Sequence, residues 1–407
     1  MRILIVTAGS RGDVAPFTGL GQRLRQAGHE VAVAAHDRFV DLIEGCALEH
    51  RSLPGDPLEM VRARTNASSP EAVRSLFVSF LNELGEGVLA AAADTEVLLT
   101  AFGPAPLSRL VATALDIPSL GIYLLPGVPT RAFAPPGWPG TGAPTPEGNL
   151  AAGRAALTQV DGLYAEPLAS LRARLGVPAS ASGGPADAGP PRGWPICHGF
   201  SPSVLPRPAD WPDHVSVTGY WWPARPDHWQ PPDEVIEFLR AGPAPVFFGF
   251  GSMDPDQAAR LNDIVAASTE QAGVRAVVQS GWAGLNPRGD DILMVDDLPH
   301  DWLFPQMAAV VHHAGAGTTG AGIRAGRPTV AAPILVDQPF WAARLHRLGV
   351  APPPLPLPEL SVDNLAAAIR ACLDEPAYRD RATQLAADLA AEDGAGAVLE
   401  HIAALQR

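Results

Sequence analysis

Asp13 is the one acid in the stretch TAGSRGDVAPF, Thr7 to Phe17, which follows the apolar run Ile3–Val6 and precedes a helix-like pattern. A carboxylate at such a turn has two ordinary uses. It accepts a proton from a reacting group, or it caps the following helix, with Pro16 early in that helix. The glycines also invite a nucleotide-cradle reading. However, Gly9 and Gly12 are three apart, the third glycine of G-x-G-x-x-G is missing and no lysine follows as in a Walker loop. Asp37 is only a loose match to a ribose-binding acid, so a nicotinamide enzyme is poorly supported.

A second constellation lies in VVHHAGAGTTGAGIRAGRP, Val310 to Pro328. Gly315 and Gly317 let backbone amides approach a ligand closely, Thr318 and Thr319 suit a helix start, and a helix N-terminus favours negative charge. His313 adds an imidazole N–H for a phosphate oxygen. The residues read as a diphosphate cradle, the alternative being an ordinary glycine-rich turn with a satisfied histidine. Downstream, in VDQPFWAAR, Asp337 and Gln338 offer acceptors and donors suited to vicinal sugar hydroxyls, or else cap a helix. Upstream, GFGSM places Ser252 at another strand end, within reach of the same phosphates.

These turns need strands and helices to hold them. Short apolar runs alternate with helical patterns, the mark of β-α-β units and a parallel sheet. The first unit reads as strand Ile3–Val6, a helix near Pro16–Gln26 and strand Val31–Ala35, followed by runs at Val97–Phe102 and Ser119–Leu125. Arg62–Ala92 reads as mostly helical. Ala179–Gly193 and Pro202–Pro232 are rich in proline and small residues and predict a linker. The alternation restarts at Pro243 with runs at Val246–Phe250, Arg275–Gln279, Ile292–Val295, Ala309–His312 and Thr329–Ala332. The fold class expected is α/β, with two Rossmann-like domains facing across a ligand cleft: residues 1–212, residues 213–388, and a C-terminal helix at 389–407 packing back on the first.

Composition agrees with two globular domains. The chain has 407 residues, 47% of them hydrophobic and 18% charged. A net charge of −14 argues against nucleic acid and anionic membranes as partners, so an anion site must rest on local amides. The three cysteines, Cys46, Cys197 and Cys372, form no disulfide or zinc spacing. With neither a signal-peptide pattern nor a run long enough for a membrane span, the expectation is a cytoplasmic protein without stable membrane insertion.

Taken together, HHAGAGTT and VDQPFWAAR resemble the donor-site signature of family 1 glycosyltransferases of GT-B fold. GSRGDVAP resembles the N-terminus of the bacterial subgroup acting on glycopeptide and other natural-product aglycones, and of sterol glucosyltransferases. The resemblance implies an inverting transfer from a UDP- or dTDP-sugar to a hydroxyl of a hydrophobic acceptor held by the N-terminal domain. It implies that His313, Gly315, Gly317 and Thr318 contact the diphosphate, that Asp337 and Gln338 contact the sugar, and that Ser252 assists. Leu298 in VDDLPHDWLF is implied at the nucleobase, with Trp282 as a wall; Ser10, Arg11 and Gly12, beside Asp13, are placed at the donor, with contact to the acceptor as the alternative for Ser10 and Arg11.

Most members of the family place a histidine as general base where this chain has Asp13, and the glycopeptide-type members carry aspartate there. The Asp254–Asp256 pair is formally a D-x-D but directly precedes a helix and reads as a cap, so no essential metal and no cofactor are expected. The segment Val73–Leu89, residues 51–64 and the stretch with Phe133 and Trp138 are expected to shape the acceptor pocket, for a polyketide, terpenoid, sterol or phenolic. Oligomeric state is left at monomer or homodimer. Rival readings are a sugar-nucleotide epimerase or phosphorylase on the same fold, and a non-catalytic sugar-nucleotide-binding protein.

Overall fold

A computed structural model describes residues 1–65, 69–137, 145–178, 193–251 and 257–405. Contacts divide the chain into two compact units. The first comprises Met1–Pro202, Pro206–Asp227 and Asp393–Arg407, and the second Ser203–Leu205 and His228–Glu392.

The first unit is built on a parallel sheet of strands β1 Arg2–Val6, β2 Glu30–His36, β3 Glu49–Leu53, β4 Val97–Thr100, β5 Ser119–Tyr123, β6 Ile196–His198 and β7 Val215–Val217. They lie in the order β3-β2-β1-β4-β5-β6-β7. The continuous apolar sequence of β1 follows from burial on both faces. Ile3 and Ile5 pack with Phe17, Leu20 and Leu24, while Leu4 and Val6 pack with Leu81, Leu84 and Leu107 on the other side. The order reverses between β1 and β4, so the loops after those two strands flank the crevice where open α/β sheets take ligands.

The second unit repeats the plan with β8 Val246–Gly249, β9 Ala276–Gln279, β10 Ile292–Val295, β11 Ala309–His312 and β12 Thr329–Ala331, in the order β10-β9-β8-β11-β12. Its reversal lies between β8 and β11, which pair in parallel from Ala309↔Val246 to His312↔Gly249. Among the described residues, no helix is long and apolar enough to cross a membrane.

Two expectations change. The first helix runs Arg11–Gln26 rather than starting near Pro16, because Ser10 and Asp13 organise its first turn. Pro16 therefore lies inside it. The proline-rich stretch taken for a linker is in large part core of the first unit. There Trp211 and Trp221 are 3% and 2% exposed, Trp221 packs on Phe17 with its indole N–H on the Gly394 carbonyl, and Ala224 N–H donates to Thr18 Oγ1. The end of this first unit accordingly falls at Asp227, beyond the expected 212. Residues 179–192 of the other proline-rich stretch lie outside the described residues. Helix Val362–Asp374 sends Leu365, Ile369 and Cys372 into the second unit's core, and only Gly394–Ala404 joins the first.

Candidate functional site

In the second unit, the expected donor residues that are described all fall at the carboxyl edge of the sheet: Trp282 after β9, Leu298 after β10, His313–Thr318 after β11, and Asp337 and Gln338 after β12. Ser252, after β8, lies outside the described residues, as do Asp254–Asp256.

His313 is the centre of this edge. Its ring fills the gap between two glycines: a Cβ on Gly251 would stand 2.6 Å from Cε1, and one on Gly315 would stand 2.7 Å from Nε2. Gly251 also has a φ of 66°, which side chains tolerate poorly. The β9 loop closes on the same point, with Trp282 N–H directed at the Gly251 carbonyl at 3.3 Å. Burial pushes the imidazole down to about 4, partly offset by the nearby Gly249 backbone, although no hydrogen bond of good geometry reaches Nδ1. His313 is therefore neutral at physiological pH, and one ring nitrogen carries an N–H.

Gly315 stands at the N-cap of helix Ala316–Arg324 without a side-chain cap. Thr319 N–H bonds the Gly315 carbonyl at 2.9 Å, and the preceding amides of Ala316, Gly317 and Thr318 have no acceptor within the helix. Together with the helix dipole they form an electropositive edge beside His313.

Asp337 is the N-cap residue of helix Gln338–Arg347, and its Oδ2 accepts the Trp341 indole N–H at 2.9 Å. Gln338 Oε1 accepts the amides of Ile334 and Leu335 at 2.8 and 3.1 Å, leaving the amide Nε2 as its remaining polar group. Both side chains are thus held by the turn that carries them. That turn includes Val336 at φ 58°, a rare conformation for a β-branched residue. Leu298 is buried and, with Ser280, Leu285, Asn286, Val295 and Asp296, lines a cleft of about 520 Å³. Among the described residues, no three His, Cys, Asp or Glu side chains gather as a metal site requires.

In the first unit, Asp13 is not the helix N-cap. It is the third residue of the helix, and its Oδ2 accepts the Ser10 N–H at 2.7 Å and the Ser10 hydroxyl at 3.0 Å. The side chain keeps an exposed outer face, yet the density of protein around the carboxyl desolvates it. Its pKa rises above the ordinary 3.8 although both Ser10 bonds pull the other way. Gly12 is exposed, and a Cβ there would meet only Ser10 Oγ, at 3.7 Å. Arg11 opens the helix, half-buried.

The acceptor expectations divide. Helix Pro70–Ala91 buries Leu81, Leu84 and Val88 in the core, so much of the Val73–Leu89 apolar pattern is packing. Phe133 stands edge-on to Trp211 at 6.4 Å, and Trp138 lies outside the described residues. A small apolar slot of about 40 Å³ lies between the ends of β4 and β5 and helix Pro146–Leu175, lined by Phe102, Tyr123, Val128, Pro129, Leu157 and Val160; Val128 and Pro129 belong to the stretch with Phe133 that was expected at the acceptor, whereas sequence reasoning missed the other four. Its rim is fixed by Trp211 Nε1–H on the Val128 carbonyl at 3.1 Å and by Asp210, which accepts the Thr130 hydroxyl at 2.5 Å and the Arg131 amide at 2.8 Å. Phe102 just past β4 and Tyr123 at the last position of β5 were the available signal.

Comparisons with known proteins bear on both units. Residues 264–405 match the Erythromycin biosynthesis protein CIII-like, C-terminal domain, and residues 3–99 the Glycosyltransferase family 28 N-terminal domain. The chain is 36% identical to the O-mycaminosyltylonolide 6-deoxyallosyltransferase of Streptomyces fradiae, over 97% of this chain and 95% of that one. It is 32% identical to a sterol 3-beta-glucosyltransferase of Arabidopsis thaliana, over 98% of this chain and 67% of that one. In fold it is similar to the glycosyltransferase VinC, solved in complex with dTDP, with a TM-score of 0.69 at 20% identity, covering 100% of both chains.

Proposed function

The chain belongs to the family 1 glycosyltransferases of GT-B fold, and from that membership we propose an inverting transfer from a UDP- or dTDP-sugar to a hydroxyl of a hydrophobic natural product or sterol. The observation that carries this reading is the placement of His313 between Gly251 and Gly315 at the start of helix Ala316–Arg324. A neutral imidazole N–H, three amides without helical acceptors and the positive end of a helix meet there, which is what a departing nucleoside diphosphate needs. These fixed dipoles take the leaving-group charge, so the reaction as proposed requires no metal. The name of VinC's complex supports dTDP as a ligand class.

Asp13 is assigned the general base. Its carboxylate accepts the acceptor's hydroxyl proton as that oxygen bonds the anomeric carbon and the bond to the diphosphate breaks, which inverts the centre. Ser10 orients the carboxylate through Oδ2. Asp337 and Gln338 are assigned to the sugar hydroxyls, and Leu298 with the cleft beside it to the base. The substrates in the names of the natural-product and sterol relatives support a hydrophobic acceptor, of which the slot at Phe102, Tyr123 and Pro129, about 40 Å³, has room for no more than a small apolar group.

A panel of UDP- and dTDP-sugars crossed with macrolide, sterol, terpenoid and phenolic acceptors, read by mass, tests the reading. A glycosylated product is expected. Efficient donor conversion without any acceptor would instead favour an epimerase or phosphorylase.

A further inference from the structure

His312 precedes the histidine assigned to the diphosphate, and its own side chain points elsewhere. It ends β11, fully buried, and its Nδ1 accepts the amide N–H of Ala314 at 2.9 Å. That bond fixes the tautomer, since a nitrogen that accepts carries no proton and the proton must sit on Nε2. Nε2 in turn has no hydrogen-bond partner among the described residues. It faces helix Ala316–Arg324, where a Cβ on Gly322 would stand 4.0 Å from it.

Ala314 is the hinge of the turn. It has a φ of 63°, in the left-handed region that an alanine seldom adopts, and it links His313 to Gly315. With Ala314 in the common right-handed or extended regions, the chain leaving β11 would take another direction. Gly315 would then not meet the His313 ring, and the free amides of the helix start would not face the same point.

A buried histidine with one unpartnered nitrogen is a poor choice for packing, because an aliphatic side chain would fill a central strand end without burying an unsatisfied N–H. The bond at the other nitrogen gives it a use. We propose that His312 is a positioning residue, which through Nδ1 holds Ala314 left-handed and so presets the His313 imidazole and the Ala316–Thr318 amides as one anion-binding surface. Burial keeps the ring neutral far below the usual histidine range, so Nδ1 stays an acceptor throughout the working pH range.

The inference rests on the diphosphate reading for its consequence, but not for its geometry. The test uses the full chain with dTDP and UDP as probes. His312→Leu should weaken binding of the nucleotide by about tenfold, the cost of a cradle no longer preorganised. His312→Asn, whose Oδ1 replaces Nδ1 as acceptor, should bind as the parent does. Adding Ala314→Gly to His312→Leu should recover much of the affinity, because glycine adopts this φ without assistance. A packing defect would not respond to that second change. Hydrogen exchange supplies a readout without ligand: the Ala314 amide should be protected in the parent and in His312→Asn, and fast in His312→Leu. Equal protection in all three, parental affinity in His312→Leu, or no recovery with Ala314→Gly would overturn the proposal. A parent that binds neither nucleotide overturns the diphosphate reading instead, and the exchange rates still decide whether His312 holds the turn.

Discussion

Gly9 and Asp13 are a matched pair: a Cβ on Gly9 would stand 2.4 Å from Asp13 Oδ2, in the space the carboxylate occupies while bonded to Ser10. Gly9 also has a φ of 139°, outside the range of ordinary side chains. Gly9→Ala is therefore expected to displace the carboxylate and lower kcat by about 10²-fold, the scale of a 1 Å misplacement. Gly162→Ala, in helix Pro146–Leu175 with nothing within 4 Å of the added Cβ, should transfer near the parental rate. Steady-state kinetics of the two variants side by side checks this, and equal losses would refute the pairing.

Asp13→Asn should retain donor affinity and lose transfer by about 10²-fold or more. The base works deprotonated, and desolvation raises its pKa above 3.8. Activity should therefore fall as pH drops through a value above the ordinary aspartate one, read from the acid limb of kcat/KM. An acid limb at or below 3.8 would argue against Asp13 as the titrating group.

His313→Ala should weaken UDP or dTDP binding by about 1.5–3 kcal/mol, the range for a hydrogen bond to a charged group, or roughly ten- to hundredfold. Calorimetry measures it directly. Unchanged affinity would remove His313 from the diphosphate site.

His198 gives a stability prediction. It is fully buried, donates Nδ1–H to the Ser216 carbonyl at 3.1 Å, stacks on Trp211 at 4.6 Å, and is pushed down to about 3 by desolvation. Above about pH 6.5 neither the folded nor the unfolded ring is charged, so there is no penalty. Between 6.5 and about 3 only the unfolded ring takes the proton, and stability falls with decreasing pH by up to about 1.4 kcal/mol per unit. Urea unfolding of the parent and of His198→Phe at pH 7 and pH 5 should show their difference changing by at least about 1 kcal/mol. A constant difference would mean that the folded ring protonates normally.

Val336 is 55% exposed at φ 58°. Val336→Gly relieves a left-handed strain of about 1–3 kcal/mol against about 0.5–1 kcal/mol of added chain entropy, so a net gain of about 1 kcal/mol in stability is expected. A lower melting temperature would show that the valine side chain holds the turn.

Much of this was legible in the chain. Ile3–Val6 and Val246–Phe250 are apolar without alternation, as strands covered on both faces must be, and the glycine-rich turns after them mark where a ligand can approach backbone. Asp13 and His313 stood out because their residue types are rare among the apolar and small residues around them. The tryptophans at 211 and 221 were less legible. Proline-rich sequence looks the same whether it crosses solvent or lies against a core, and only contacts with Phe17, Val128 and Gly394 distinguish the cases. The bond from Ala314 to His312 was equally hidden, since nothing in HHAG records a left-handed alanine.

The sequence by itself determined the alternating strands and helices, the division into two Rossmann-like halves and the residue types at the turns, because periodicity and turn chemistry are local properties of the chain. Tertiary structure decided which turns meet. Buried parallel strands are nearly interchangeable in pattern, so only the sheet order, with β8 beside β11, brings Gly251 against His313. It also decided that Asp13 belongs to the first turn of its helix rather than to the loop before it. That choice rests on Ser10's two hydrogen bonds to one carboxylate oxygen, a geometry that the spacing of residues allows but does not specify.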